Sequence, residues 1–273
     1  CAVLRINKHN MTSLPSSIEA MTAMKLLQIN HGPLQTLPEL GDIMPRLSLL
    51  NVDFNALTTL PGSLANAPNL VFLFASFNKL SAIPDEIFQH PVLESLDVST
   101  NNLTHLPAMD MKHLKYMYVV NNSLTTLPPS MFEHLFMARL AVDGNKLQLL
   151  PSNIGNVGNT LTSFGATRNN LTSFPSSFSQ LSKLEVLDIR NNSLESLPPW
   201  NELTTLVHLT VAGNPLCQNG WVGTGRVMEL MEKEGEGCAR QCSDMCLDLT
   251  LYDQGCGYEY NVPECNYDNN QCT

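Results

Sequence analysis

The sequence is poor in charge, in aromatic residues and in long apolar runs. Charged side chains make up 15% of its 273 residues and aromatic ones 7%, and 25 acidic residues against 15 basic ones give a net charge of -10. An acidic chain repels phosphate backbones, so nucleic acid is not expected as a partner. No run of about 18 apolar residues occurs, so the sequence predicts no membrane span and leaves open an anchor outside this chain.

Cysteine is absent from residues 2–216 and crowded into the last 57 residues. After Cys1 the cysteines are Cys217, Cys238, Cys242, Cys246, Cys256, Cys265 and Cys272. Such density indicates a small module held by disulfides in an oxidising compartment. Five glycosylation sequons, which begin at Asn10, Asn102, Asn121, Asn170 and Asn191, point the same way. We therefore expect an extracellular or cell-surface protein.

One sequence motif, LxxLxLxxNxLxxLP, recurs along the chain and is complete between Leu184 and Pro198. Its asparagine position falls at His9, Gly32, Asn55, Asn78, Asn101, Asn122, Asn145, Asn169, Asn192 and Asn214. Neighbouring positions are 21 to 24 residues apart. A fixed period of this length predicts a solenoid of stacked units, each of which buries its apolar face against its neighbours.

Within each unit the spacing of residues predicts a strand, a turn and a return segment. The LxL pair alternates with polar residues, as in a short strand with one buried face. The asparagine falls at the turn, where its side chain is expected to bond backbone groups of its own turn and of the next one. His9 and Gly32, which replace it in the first two copies, are interpreted as the drift common in terminal repeats.

The consensus resembles that of leucine-rich repeat proteins. The resemblance implies an α/β solenoid over residues 1–216, about ten repeats, with parallel strands on a concave face and loops or short helices on a convex face. The phrase from Gly213 to Cys217 resembles the start of the C-terminal cap of extracellular members, which assigns residues 217–240 to a cap. No N-terminal cap is recognisable, so we expect the natural protein to extend beyond Cys1.

Residues 241–273 resemble a degenerate Notch-type cysteine repeat, as in cell-surface proteins of oomycete type. The resemblance implies disulfides between Cys242 and Cys265 and between Cys256 and Cys272, with Cys217 joined to Cys238 in the cap and Cys246 left over. It also implies a calcium ion held by Asp253 and Asp268. Gln271 stands where the family has an aspartate, so a module without calcium, held by disulfides alone, is the alternative.

The outward strand positions of copies three to six are unusually rich in large apolar side chains. The predicted ligand-binding residues are Leu49, Phe54, Phe72, Phe74, Phe77, Tyr116 and Tyr118. Exposed aromatic clusters commonly mark interfaces. The expected polar rim comprises Asp53, Glu94, Asp97, Lys115 and Arg139. The alternative is that these rings fold back against neighbouring strands and fill gaps in the sheet.

No catalytic motif occurs, and the seven histidines are scattered over different repeat positions. The sequence therefore predicts no enzyme but a recognition module of a cell-surface receptor or adhesion protein, which binds a protein or peptide on the concave face. The alternatives are an intracellular scaffold similar to Ras-group repeats and a structural wall or matrix protein. The ligand and the oligomeric state stay open.

Overall fold

A computed structural model of the chain describes residues 2–133 and 136–218, positions 224, 225, 227, 228 and 230, and two short strands at 265–266 and 271–272. Among these residues no helix has the length and apolarity that crossing a bilayer requires.

Ten parallel strands form one open sheet in which each strand pairs with its neighbours in sequence order. They are β1 (Val3–Asn7), β2 (Leu26–Asn30), β3 (Leu49–Asn51), β4 (Phe72–Phe74), β5 (Ser95–Asp97), β6 (Tyr116–Tyr118), β7 (Arg139–Ala141), β8 (Ser163–Gly165), β9 (Val186–Asp188) and β10 (His208–Thr210). The predicted solenoid of parallel strands is therefore confirmed. Equivalent repeat positions lie side by side, as in the register Leu50, Leu73, Leu96.

The return segments between strands are mostly single turns of 3₁₀-helix. These span Ser16–Ala20, Gly62–Asn66, Asp85–Gln89, Pro129–Phe132, Ile154–Val157, Ser176–Gln180 and Pro215–Cys217, and one short α-helix, α1, spans Leu40–Ile43. A proline in extended conformation precedes several of them, for example Pro15 and Pro61. Proline fixes φ and has no N–H to leave unpaired, so it suits the entry to such a turn.

The apolar core runs without interruption through the stack. Leu50, Leu73 and Leu96, the central strand leucines of three successive repeats, are all fully buried. No repeat encloses these side chains alone, because each strand is covered by its neighbours on both sides. Stability in such an array is approximately a sum of repeat and interface contributions.

A row of asparagines, the asparagine ladder, joins the repeats; its first member, Asn55, is half-buried and the others are buried. It comprises Asn55, Asn78, Asn101, Asn122, Asn145, Asn169, Asn192 and Asn214. In Asn78 the Oδ1 accepts the N–H of Leu57 at 3.0 Å, and Nδ2 donates to the carbonyl of Val52 at 3.0 Å. Nδ2 also reaches carbonyls of its own turn. The ladder therefore bonds its own turn and the preceding repeat, whereas the sequence prediction had named the next one.

His9 and Gly32 form a complementary pair at the start of the ladder. A Cβ placed on Gly32 would lie 2.2 Å from the His9 ring, so only glycine leaves room for that imidazole. His9 Nδ1 accepts the N–H of Met11 at 3.2 Å, which closes the turn locally. The two exceptions to the asparagine pattern are thus coupled, and drift alone does not describe them.

At the C-terminal end, Cys217 is disulfide-bonded. The backbones of β11 (Cys265–Asn266) and β12 (Gln271–Cys272) pair antiparallel. Cys238, Cys242 and Cys256, with the calcium candidates Asp253 and Asp268, lie outside the described residues. The cap, the Notch-like module, its disulfide pairing and its calcium ion stay predictions.

Candidate functional site

The open face of the sheet, on the side away from the return segments, carries the outward side chains in rows. One row runs Val3, Leu26, Leu49 and Phe72 from β1 to β4. The next row runs Phe74, Asp97 and Tyr118 from β4 to β6. In-register pairing of parallel strands places each of these neighbours about 4.8 Å apart at the backbone.

The seven predicted ligand-binding residues lie together on this face and its edge, and we call them the aromatic surface. Leu49, Phe72 and Phe74 lie on β3 and β4, and Tyr116 and Tyr118 form the outward positions of β6. Phe54 and Phe77 lie at the turns that follow β3 and β4. Phe72 is 38% exposed and the other six are half-buried, so each side chain is partly covered and still presents area to solvent. Ring contacts join Phe54 to Phe77 and Phe72 to Phe74.

Three rings form a parallel stack at the edge of the open face. His31 stacks on Phe54 with centroids 4.4 Å apart, and Phe54 stacks on Phe77 at 4.2 Å. All three residues have positive φ, between 51° and 57°. His31 was missed by the sequence reasoning. The sequence did contain a signal: in three successive repeats the residue directly before the asparagine position is His31, Phe54 or Phe77.

Two residues of the expected polar rim are not at a rim. Asp97 is 2% exposed and Asp53 4% exposed, so both lie beneath the surrounding side chains. Asp97 sits in register between Phe74 and Tyr118, and its Oδ1 accepts the N–H of Ser99 at 2.9 Å. The prediction that these carboxylates frame the surface is wrong. Asp97 is enclosed by aromatic neighbours on both sides, and Asp53 is bonded to the N–H and hydroxyl of Ser76 in the next repeat.

The other three rim residues are half-buried: Glu94 precedes β5, Lys115 precedes β6 and Arg139 begins β7. Lys115 Nζ pairs with Glu94 Oε2 at 2.9 Å across adjacent repeats. Arg139 donates a hydrogen bond to Tyr118, and burial nevertheless raises the pKa of the Tyr118 phenol. Tyr118 therefore stays neutral over the physiological range and offers a hydroxyl at the C-terminal margin of the aromatic surface.

Beyond β6 the open face changes from aromatic to polar. Asp143 lies over Gly165, whose missing side chain leaves space for the carboxylate, and Thr167 donates its N–H to Asp143 Oδ1 at 2.7 Å. Asp188 pairs with the buried guanidinium of Arg190. Desolvation and the nearby charge of Asp188 raise the pKa of Asp143 to about 6.

Replacing Asp143 with asparagine is expected to stabilise the protein at neutral pH. Because the folded-state pKa of about 6 exceeds the ordinary value of 3.8, ionisation opposes folding. The penalty is present above pH 6 and absent below about pH 4. Asp143→Asn keeps an acceptor for Thr167 and should raise the free energy of unfolding by about 2 kcal/mol at pH 7.5. Urea denaturation at pH 7.5 and pH 4 measures the free energy of unfolding of both proteins. Glu185→Gln, which removes an exposed carboxylate, is the control. An equal gain at both pH values would contradict the assignment.

Four of the five sequon asparagines, Asn10, Asn102, Asn170 and Asn191, are exposed. Asn121 is half-buried, and its side-chain oxygen occupies the space where a Cβ on Gly144 would lie. No group of three or more potential metal-ligating side chains occurs within the described part of the chain.

Comparison with known proteins agrees with this architecture. The leucine-rich repeat family model matches residues 113–135 and 183–202, and no enzymatic family is indicated. No curated protein matches the sequence. A leucine-rich repeat protein of Leptospira interrogans is 28% identical with a TM-score of 0.73, over 78% of this chain and 55% of its own.

Two further structures show how varied such neighbours are. The ectodomain of the plant receptor kinase GASSHO1/SCHENGEN3 from Arabidopsis thaliana, in complex with CASPARIAN STRIP INTEGRITY FACTOR 2, is 26% identical with a TM-score of 0.64, over 73% of this chain and 26% of its own. YopM, a leucine-rich effector from Yersinia pestis, is 25% identical with a TM-score of 0.55, over 78% and 61%. This chain thus spans between about a quarter and about three fifths of the length of these structures.

Proposed function

We propose that this leucine-rich repeat protein is a non-enzymatic recognition module that binds a protein or peptide ligand through the aromatic surface. The observation that carries the proposal is that seven large apolar residues from three repeats, the third, fourth and sixth, lie on one face of the sheet and its edge. Aromatic side chains are the anchors that supply most of the binding energy in many interfaces. The GASSHO1/SCHENGEN3 ectodomain, which shares this fold, was solved with a bound factor.

We further propose that the protein works outside the cell, as part of a surface receptor or adhesion protein. Support comes from the disulfide at Cys217, the crowded cysteines after it and the exposure of four sequon asparagines. No observation specifically favours an intracellular scaffold or a structural wall protein. A thiol count on denatured protein tests the location, since a cytosolic protein would present most of its eight cysteines as free thiols.

Replacing Phe72, Phe74 and Tyr118 together with serine is expected to abolish ligand capture without unfolding the array. The three rings lie on the open face outside the core, whereas the inward leucines that hold the repeats are untouched. Loss of three anchors should weaken binding about 100-fold or more. The test is to immobilise the unaltered protein and the triple variant separately and to pass the medium of the source cells over each. Retained polypeptides are then identified by quantitative mass spectrometry.

The matched control replaces three outward residues of the polar end, Val186, His208 and Thr210, with serine. It should retain the same polypeptides as the unaltered protein, and both variants should keep its circular dichroism spectrum. Retention of the same polypeptide by the Phe72, Phe74 and Tyr118 variant, at unchanged affinity, would overturn the assignment of the binding face.

A further inference from the structure

Charge is segregated between the two sides of the first four repeats. Residues 2–90 contain five cations, of which Arg5, Lys8, Lys25 and Lys79 lie exposed on the open face or at its margins. The fifth, Arg46, lies in a return segment. The exposed acids of this region all lie in or beside the return segments, and they are Glu19, Glu39, Asp42, Asp85 and Glu86. A chain with net charge -10 thus has a local cationic face.

The one acid on that side of the sheet is screened from a ligand. Asp53 is 4% exposed, and its Oδ1 accepts both the N–H of Ser76 at 2.6 Å and the Oγ–H of Ser76 at 2.8 Å. Within the described part of the chain none of Arg5, Lys8, Lys25 and Lys79 has an ion-pair partner. Their charge is therefore directed to solvent.

The ring stack lies between two of these cations. Lys8 occupies the position equivalent to His31 in the preceding repeat, and Lys79 follows Phe77 by two residues. Lys8, His31, Phe54 and Phe77 all adopt positive φ, which is unfavourable for bulky side chains. Two later repeats place glycine there, Gly144 and Gly213, with no such penalty. Thr100, Asn121, Arg168 and Asn191 have positive φ at the same position, so the conformation belongs to the repeat turn. What distinguishes the second to fourth repeats is that they carry stacked rings there.

We infer that the ligand is an acidic peptide segment that also carries apolar side chains. Its apolar groups contact Phe72, Phe77 and the neighbouring stacked rings, and its carboxylates face the four cations around them. The inference rests on the proposed function and specifies its ligand. A peptide fits better than a long polyanion, because the cations surround an apolar centre and the rest of the chain repels extended negative charge.

The test selects peptides from a displayed random library on the immobilised full chain. Selected peptides should combine Asp or Glu with aromatic or aliphatic residues. They are then synthesised with a fluorophore, and binding is measured by anisotropy at low and high salt. The test variant carries Arg5→Glu, Lys8→Glu, Lys25→Glu and Lys79→Glu. The matched control carries Arg46→Glu, Lys112→Glu, Lys146→Glu and Lys183→Glu, which makes the same change in net charge at exposed sites elsewhere.

We expect the affinity of the selected peptides to fall about 100-fold in the test variant and less than about threefold in the control. Binding to the unaltered protein should weaken as salt rises. The inference is overturned if the library yields no enriched peptide or yields neutral or basic ones. It is also overturned if both variants lose affinity equally, or if heparin or an oligonucleotide binds more tightly than any peptide.

The Phe72, Phe74 and Tyr118 variant separates failure of this inference from failure of the proposed function. If neutral peptides are selected and that variant no longer binds them, the aromatic surface is the binding site and the acidic ligand is wrong. If that variant binds the selected peptides as well as the unaltered protein does, the binding face itself is wrong.

Discussion

Replacing Asn101 with alanine is expected to lower the free energy of unfolding by about 4 kcal/mol. Asn101 is 8% exposed, and its Oδ1 accepts the N–H of Leu80 at 2.9 Å. Its Nδ2 donates to the carbonyls of Ala75, Val98 and Ser99 at 3.0 to 3.1 Å. Alanine would leave the N–H of Leu80 without its acceptor, which costs about 1–3 kcal/mol. The carbonyls of Ala75, Val98 and Ser99 would each lose one of two donors, at about 0.5–1.5 kcal/mol each, and keep Asn78 Nδ2, Asn122 Nδ2 and the N–H of Phe77.

The adjacent residue supplies the control for this substitution. Asn102 is exposed, and only its backbone N–H is bonded, to the carbonyl of Leu80. Asn102→Ala should change stability by less than about 0.5 kcal/mol. Urea denaturation compares the free energies of unfolding of Asn101→Ala and Asn102→Ala, both made without glycosylation. Equal small effects from both substitutions would show that water replaces the ladder bonds and that the ladder does not hold the repeats together.

The repeated strand–turn–return pattern of this fold is predictable because every repeat buries its apolar face against its neighbours in the same way. The LxL alternation indicates a strand with one buried face, and the period places that strand beside its equivalents. The direction of the asparagine bonds is not predictable from one repeat, because Asn78 could reach a carbonyl in either neighbour. The offset between turns selects the preceding repeat, and that offset exists only in three dimensions.

The sequence predicts the outward placement of most candidate-site residues, but it misses His31 and does not predict which side chains are exposed. The alternation placed Phe72, Phe74 and Tyr118 on the outward face, and the structure has them there. It placed Asp97 there as well, yet Asp97 is buried between Phe74 and Tyr118. Cross-strand neighbours decide burial in a sheet, and they lie more than 20 residues away in the sequence. The same separation hid the coupling of His9 with Gly32.

Replacing Trp200 with alanine is expected to lower the free energy of unfolding by about 4 kcal/mol. Trp200 is 2% exposed and packs on Phe178 and Phe174, with ring centroids 5.2 and 5.1 Å away. Phe174 in turn contacts Phe178 at 4.6 Å. Truncation of the indole would leave a cavity that this cluster, spread over two return segments, cannot close without moving both.

The loss should be local, because a solenoid transmits stability only between neighbouring repeats. In Trp200→Ala, hydrogen exchange should become faster in β8 to β10 while β2 to β6 keep their protection. Ligand capture by the aromatic surface should then persist below the temperature of global unfolding. Leu149→Ala, which removes a leucine that is 59% exposed, is the control and should change neither exchange nor capture. Uniform loss of protection across all ten strands would mean that the array unfolds as one unit. Weakening the repeats of β8 to β10 would then also unfold the repeats that carry the aromatic surface.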